Sequence, residues 1–261
     1  MGNIHKTAVI EDGARVHETA EVGPFCVIEN GVSIGEGTVL KSHVAVAGKT
    51  TIGKGCTVFP FASIGHVPQD LKFHGEQSEV IIGNNTVIRE HVTINPGTEG
   101  GGSLTKVGDN GLIMIGAHIA HDCLVGDNVI LVNNATLGGH VIVEDFAIIG
   151  GLSAVHQFVR IGAHAMIGGA SGVETDIIPF GSATGNRAVL SGLNLTGMKR
   201  RNFSREEIHA LRNAYKKLFA EEEGTFKDRT ALIASEYPES VVVKTVLDFI
   251  NGDSKRGFCQ P

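Results

Sequence analysis

The stretch IGAHIAHDCLVGDN, residues 115–128, sets His118 and His121 three apart, with Asp122 directly after the second. Imidazole is the side chain best suited to exchanging a proton near neutral pH. A carboxylate beside it can fix its tautomer or share a metal ion with it. These residue types allow general-base catalysis, metal ligation, or an ordinary solvated surface. What decides between them is which other side chains stand nearby in space, and that depends on the elements that carry them.

Those elements follow a beat of six. From Ile4 every sixth residue is aliphatic, through Ile10, Val16, Val22, Ile28, Ile34, Leu40, Val46, Ile52, Val58 and Ile64. The beat pauses through GHVPQDLKFHGEQSE, resumes at Ile82, Ile88 and Ile94, and pauses again through NPGTEGGGSLTK. It restarts one residue out of phase at Val107 and runs unbroken to Val173. No α-helix or hairpin has this period. Gly, Asn and Asp just after the aliphatic residue, as in IGKGCTV and VGDNVI, predict a sharp left-handed corner after each short strand. Three hexads close a triangular coil of 18 residues, a hexapeptide β-helix with aliphatics inside. Twenty-six beats give about nine coils, a prism roughly 40 Å tall at ~4.8 Å per coil. The prism is expected over residues 1–186, with loops projecting near 65–79 and 95–106, and an α-helical domain over 187–261. Helices are expected over 204–222, 226–236 and 238–251. Ser204 caps the first, with Glu207 as its capping-box partner and Phe203 against Ile208 as a staple; Pro238 falls in the first turn of the last.

The unbroken register places the side chains, because residues 18 apart stack on adjacent coils. His121 stacks over Gly139 and then Gln157, and Asp122 over His140, at one corner; His118 and His156 flank inward residues of the same face. These six polar residues and Gly139 form one patch. His5, His17 and His43 show no such clustering and read as solvated. His121 is the candidate base, Asp122 or His140 its orienting partner, and Gly139 a backbone N–H that no side chain shields. That set suits acyl transfer to a hydroxyl. Zinc is the other reading, since a trimeric β-helix can gather histidines across an interface, as in the γ-class carbonic anhydrases, which resemble this chain in fold. Their paired ligands are spaced more widely, and no Cys or second carboxylate stands near with ligand spacing; no metal and no cofactor is expected.

Composition sets the outer bounds. Hydrophobic residues are 42% of 261, aromatics 5%, and glycine numbers 35, which suits a thin aliphatic core with many tight turns. A formal charge of −6 argues against general nucleic-acid binding. Cys26, Cys56, Cys123 and Cys259 are scattered, as in reduced intracellular proteins. The N-terminal segment lacks an apolar h-region and no apolar run reaches membrane-span length, so a cytoplasmic protein with no integral membrane segment is expected.

The motifs GHVPQDLKFHGE, GGGSLTKVGDN, AHIAHDC, NNATLGGHV, DFAIIGGLSAVHQFVRIGAHAMIGG and GMKRRNFS, spread over nearly the whole chain, resemble the UDP-N-acetylglucosamine acyltransferases that begin lipid A biosynthesis. The resemblance implies a left-handed parallel β-helix and a homotrimer with active sites between neighbouring prisms. It implies transfer of an (R)-3-hydroxyacyl chain from acyl carrier protein to the sugar 3-hydroxyl of UDP-N-acetylglucosamine. By position it makes His121 the general base, Asp122 its neighbour and Gly139 the oxyanion donor. His118, His140, His156 and Gln157 become substrate contacts, as do Gln69, Asp70 and Lys72 in a loop meeting the nucleotide sugar or the acyl donor, and Asn194 and Arg201, with adjacent Arg200, near the uridine diphosphate. Gly169 matches the end of the acyl channel, where a missing side chain admits a longer chain; it could equally serve the left-handed corner IGGA. The basic run Lys199–Arg201, with Arg205, Arg212, Lys216 and Lys217, is either a solvated face or a dock for the acidic carrier protein.

Two departures from the family stand out: NPGT at 95–98 where HRGT is common, and Thr196 where an acidic residue is common. The expected mechanism is direct attack without an acyl-enzyme, since Cys123 has no base of its own. The alternatives are N-acylation of a 3-amino sugar or of a UDP-glucosamine derivative. The enzyme that N-acylates glucosamine usually carries an extra N-terminal domain, for which hexads starting at Ile4 leave no room.

Overall fold

The computed structural model describes residues 3–219 and 224–261. Among them, short parallel strands build three sheets of eleven, nine and eight strands around a triangular, left-handed β-helix. Partners sit 18 apart, as in Ile113↔Leu131, Ile119↔Leu137 and Val125↔Val143. We call the three faces A (starting with Asn3–Ile4), B (Val9–Ile10) and C (Arg15–Val16). The inward aliphatics of successive coils, such as Ile113, Leu131 and Ile149, are fully buried. Each stabilises the prism by roughly 1.5–3 kcal/mol relative to exposure. In the first described coil, Ile4 is 41% exposed.

The corners differ from expectation in one respect. The left-handed residue is not the glycine after the inward aliphatic but the residue three positions after it, including Asn110, Asp122, Asn128, His140 and His164, with φ near +60°. The first glycine serves contact between coils instead. At Gly53 a Cβ would press on the backbone of Gly83 in the next coil, so glycine there permits close stacking.

Both pauses leave the prism at the corner between faces B and C. Ile52 pairs with Ile82 and Ile82 with Val107 across the two insertions, so loops 65–78 and 95–103 stack on consecutive coils. Asn95 Nδ2 donates to the His66 carbonyl at 3.0 Å and the Glu99 N–H to Glu76 Oε1 at 3.2 Å, joining the loops. The inward series also outlasts Val173: Ile177 bridges Ile161, and Ala183 pairs with Ile167. An antiparallel strand, Val189–Leu193, then folds back on Gly181–Thr184 and closes face A.

Helices follow: α1 Leu195–Arg200, not foreseen from the sequence, then α2 Arg205–Phe219, α3 Phe226–Glu236 and α4 Val241–Asn251. The expected extension of α2 through 222 lies outside the described residues. Ser204 accepts the Glu207 N–H, but the Glu207 carboxylate turns to the start of α4, accepting from Ser240 Oγ at 2.6 Å and Val242 N–H at 3.2 Å. The complete capping box is Thr225–Asp228 on α3. Pro238 precedes α4 instead of entering its first turn, because Ser240 is the N-cap. Ile208, Leu211 and Leu218 of α2 and Val242, Val243 and Val246 of α4 form the buried faces. No helix among the described residues is long and apolar enough to cross a membrane.

Candidate active site

The B–C corner assembles the patch. Face B ends at Ile119, the chain turns through His121 and Asp122, and face C resumes at Leu124. Asp122 takes the left-handed position, φ +60°, where its N–H donates to Thr105 Oγ1 at 2.8 Å. Its carboxylate is completely buried. Oδ1 accepts the Thr98 N–H at 2.8 Å, and Oδ2 accepts the Thr98 hydroxyl at 2.6 Å and His121 Nδ1–H at 2.8 Å. Thr98 comes from the loop 95–103, which lies so near Asp122 that a Cβ on Gly101 would overlap the carboxylate. Sequence reading missed Thr98 as a partner because the loop breaks the register; its NPGT stood out only as a departure.

An ionised carboxylate only accepts hydrogen bonds. The proton of His121 therefore sits on Nδ1, leaving the Nε2 lone pair free. His121 is 8% exposed and opens toward the next coil, where Gly139 packs against its ring. The Gly139 N–H has no hydrogen-bond partner among the described residues. His140 meets the His121 ring edge-on, centroids 5.0 Å apart, and stacks on Phe158 at 4.5 Å. Burial lowers the His140 pKa, opposed by Asp122. His118 lies on the outer side of face B, its Nδ1 2.7 Å from Thr93 Oγ1; burial, then the nearby His121, lowers its pKa. Both rings favour the neutral form.

His121, Asp122 and His140 present one ligand atom each within 4.8 Å. The direct Nδ1–Oδ2 bond, however, is a hydrogen-bond length, and Thr98 occupies both carboxylate oxygens. The donor set fits an oriented imidazole better than a zinc ligand pair. Cys123 points inward, fully buried, donating to the Gly138 carbonyl at 3.2 Å, and burial pushes its thiol up to about 12. Such a thiol is a poor nucleophile.

A cavity of about 870 Å³ opens from this corner, lined by Asp70, Lys72, Thr98, His140, Gln157 and Lys255. The Lys72 N–H donates to Asp70 Oδ1 at 3.0 Å, shaping the loop tip. Gln69 is exposed on the same loop and does not line the cavity. His156 and Gln157 lie one coil beyond Gly139.

Two groups of expected site residues are not brought to this corner. Asn194, Thr196, Arg200 and Arg201 line a second cavity, about 630 Å³, between face A and α1. There the Asn194 side chain caps α1, accepting the Gly197 N–H at 2.9 Å, and donates to the His164 carbonyl at 2.9 Å. Arg201 lies over Phe146, 4.8 Å from the ring centre. Gly169 sits at the third corner, between Met166–Ile167 on face A and Gly172–Val173 on face B. It is exposed and not left-handed; Ala170 takes that role with φ +55°, which removes the turn explanation for the glycine.

His43 is exposed as expected, and its ring lies between Phe25 and Phe61 at 5.0 and 5.1 Å. His5 and His17 are exposed, each beside a threonine hydroxyl. All four cysteines are free and buried.

A family model described as Udp N-acetylglucosamine O-acyltransferase, domain 2, matches residues 176–259, and a bacterial transferase hexapeptide model matches residues 104–139. Among solved structures, the UDP-N-acetylglucosamine acyltransferase of Francisella novicida is 40% identical over 99% of this chain and 94% of its own, with a TM-score of 0.95. That of Campylobacter jejuni is 43% identical over 99% of each chain, TM-score 0.92. The Arabidopsis enzyme is 35% identical over 98% of this chain and 100% of its own, TM-score 0.89.

Proposed function

The chain belongs to the UDP-N-acetylglucosamine acyltransferase family and is an acyltransferase; from that premise we propose that it transfers an (R)-3-hydroxyacyl chain from acyl carrier protein to the 3-hydroxyl of UDP-N-acetylglucosamine. The observation that carries the mechanism is the Asp122 carboxylate holding the His121 proton on Nδ1. Nε2 takes the sugar hydroxyl proton as that oxygen attacks the thioester carbonyl. The Gly139 N–H, without a partner in the fold, stabilises the oxyanion. The C–S bond then breaks, and the departing sulfur takes the proton back from Nε2. No bond to the enzyme forms, in keeping with the inward, protonated Cys123.

Trimer assembly completes the site in this reading. The His121 corner between faces B and C, the Arg201 cavity on face A and Gly169 at the corner between faces A and B lie apart on one prism, so in this reading a single acceptor reaches more than one of them across a subunit interface. Asp70, Lys72, His118, His140, His156 and Gln157 contact substrate from the base's own subunit, with Gln69 at the edge of the loop. Asn194, Arg200 and Arg201 hold the uridine diphosphate, and Gly169 bounds the acyl chain, from a neighbour. The exposed Lys199, Arg200, Arg205, Arg212 and Lys216 offer a basic face to the carrier protein in the cytoplasm; Lys217 is half-buried in an ion pair with Glu236.

The test is an acylation assay pairing UDP-N-acetylglucosamine or its 3-amino analogue with acyl carrier protein thioesters of several lengths. Turnover with the 3-hydroxyl sugar is expected. Turnover confined to the 3-amino sugar would move the assignment to N-acylation.

A further inference from the structure

The C-terminal segment returns to the catalytic corner. Its path is fixed at Asp176, whose N–H donates to the Gly257 carbonyl and whose carbonyl accepts the Cys259 N–H, both at 2.8 Å. Asp176 itself is fully buried and paired with Arg160 at 2.7 Å. From this anchored segment Arg256 reaches a residue 100 positions earlier: Nη2 lies 2.7 Å from His156 Nδ1, and Nε donates to the Gln157 carbonyl at 2.8 Å. A guanidinium only donates. His156 Nδ1 is therefore an acceptor, and its ring proton sits on Nε2.

Lys255, next in the same segment, places its ammonium 4.7 Å over the Phe158 ring, at the rim of the 870 Å³ cavity. It has no carboxylate partner among the described residues, although Asp70 lines the same cavity. Lys72 faces the cavity from the opposite loop. Two ammonium groups thus face one polar space from separate segments, with the carboxylates of Asp70, Glu76 and Glu99 elsewhere on its wall. An unpaired cation seated on an aromatic face and flanking such a space suits a phosphate oxygen.

Resting on the acyltransfer reading above, we propose that Lys255 binds a phosphate group of a substrate and that Arg256, tied to His156 and the Gln157 carbonyl, is the positioning residue that holds the Lys255 segment at the cavity rim. The phosphate belongs either to the sugar nucleotide or to the phosphopantetheine arm of the donor, and kinetics separate the two.

The experiment measures kcat and both KM values for the full-length wild type, Lys255→Ala and Lys255→Arg, with acyl-phosphopantetheine and acyl-pantetheine as small donors beside the carrier protein. Lys255→Ala is expected to raise one KM about tenfold, the scale of a lost charge-assisted contact, with kcat within twofold, and Lys255→Arg to restore it. A rise in the KM of UDP-N-acetylglucosamine assigns the sugar-nucleotide diphosphate. A rise for acyl-phosphopantetheine but not acyl-pantetheine assigns the donor phosphate. Unchanged KM values for both substrates in folded Lys255→Ala, or a rise seen only with the intact carrier protein, overturn the proposal. For Arg256, the ¹⁵N spectrum of His156, assigned with His156→Gln, should report the Nε2–H tautomer in wild type and a mixture in Arg256→Ala; an identical spectrum overturns its role. Wild-type turnover tests the underlying reading separately. Should turnover be absent, calorimetric titration of wild type and Lys255→Ala with UDP and with phosphopantetheine still decides the phosphate contact.

Discussion

Gly139 packs so closely on the His121 ring that a Cβ there would collide with Cε1 and Nε2. The backbone at 139 does not need glycine, since its φ is not positive. The glycine is required by the neighbouring imidazole. Gly139→Ala should therefore fold normally, yet displace Nε2 and lose about 10²-fold or more in kcat, approaching the ~10²–10⁴-fold loss expected for His121→Ala. Steady-state kinetics beside a thermal melt check this. A Gly139→Ala enzyme with more than a tenth of wild-type kcat would show that the ring has room to move.

Thr98 supplies two of the three hydrogen bonds that the Asp122 carboxylate receives from Thr98 and His121. Thr98→Val keeps the shape and the backbone N–H but removes the hydroxyl. Leaving a buried carboxylate oxygen short of a donor costs about 1–3 kcal/mol. Chemical denaturation should show that loss, and kcat should fall because the clamp on His121 loosens. Equal stability of the two proteins would mean that water replaces the hydroxyl.

His164 stacks between Phe146 and Phe180 at 4.8 and 4.9 Å, and its buried Nδ1 has no partner among the described residues. Burial, then the Arg201 charge, lowers its pKa from the ordinary 6.5 to about 4. The unfolded chain takes up this proton first, so the stability from the neutral ring is complete above about pH 6.5 and is lost as pH falls toward 4. His164→Phe should raise the Tm relative to wild type more at pH 5 than at pH 8. The same difference at both pH values would remove His164 from the acid sensitivity of the fold.

At Gly169 a Cβ would meet only the Gly151 backbone, its oxygen at 3.3 Å. A longer side chain therefore extends outward from the third corner. Gly169→Met is expected to shift preference toward shorter acyl chains, each excluded methylene removing roughly 0.8 kcal/mol of burial. Relative kcat/KM across thioester lengths is the measure. An unchanged profile in a folded trimer would detach Gly169 from the acyl channel.

The hexad beat made the prism legible, because a period of six leaves only one way to bury an aliphatic every sixth residue. Once each coil holds 18 residues, the stacking of His121 on Gly139 and of Asp122 on His140 follows from counting. Counting fails where the register breaks. Thr98 lies in an insertion, and nothing local says that its loop folds down onto a carboxylate. The corner glycines misled for a related reason: the left-handed backbone falls three positions after the inward aliphatic, on Asn, Asp, His, Phe or a second glycine such as Gly55 and Gly116, while the glycine directly after the aliphatic serves contact between coils.

The sequence by itself determined the repeat, the inward residues, the clustering of histidines at one corner and the start of α2. Tertiary structure decided what the periodic rule does not reach. It set Thr98 under Asp122, turned Glu207 from its own helix to the start of α4, and brought Arg256 across 100 residues to His156. The physical reason is the range of the forces. Hydrophobic periodicity repeats along the chain and is legible in any short window, whereas a buried carboxylate or an imidazole takes whichever donor the packed loops and the returning C-terminal segment bring within about 3 Å.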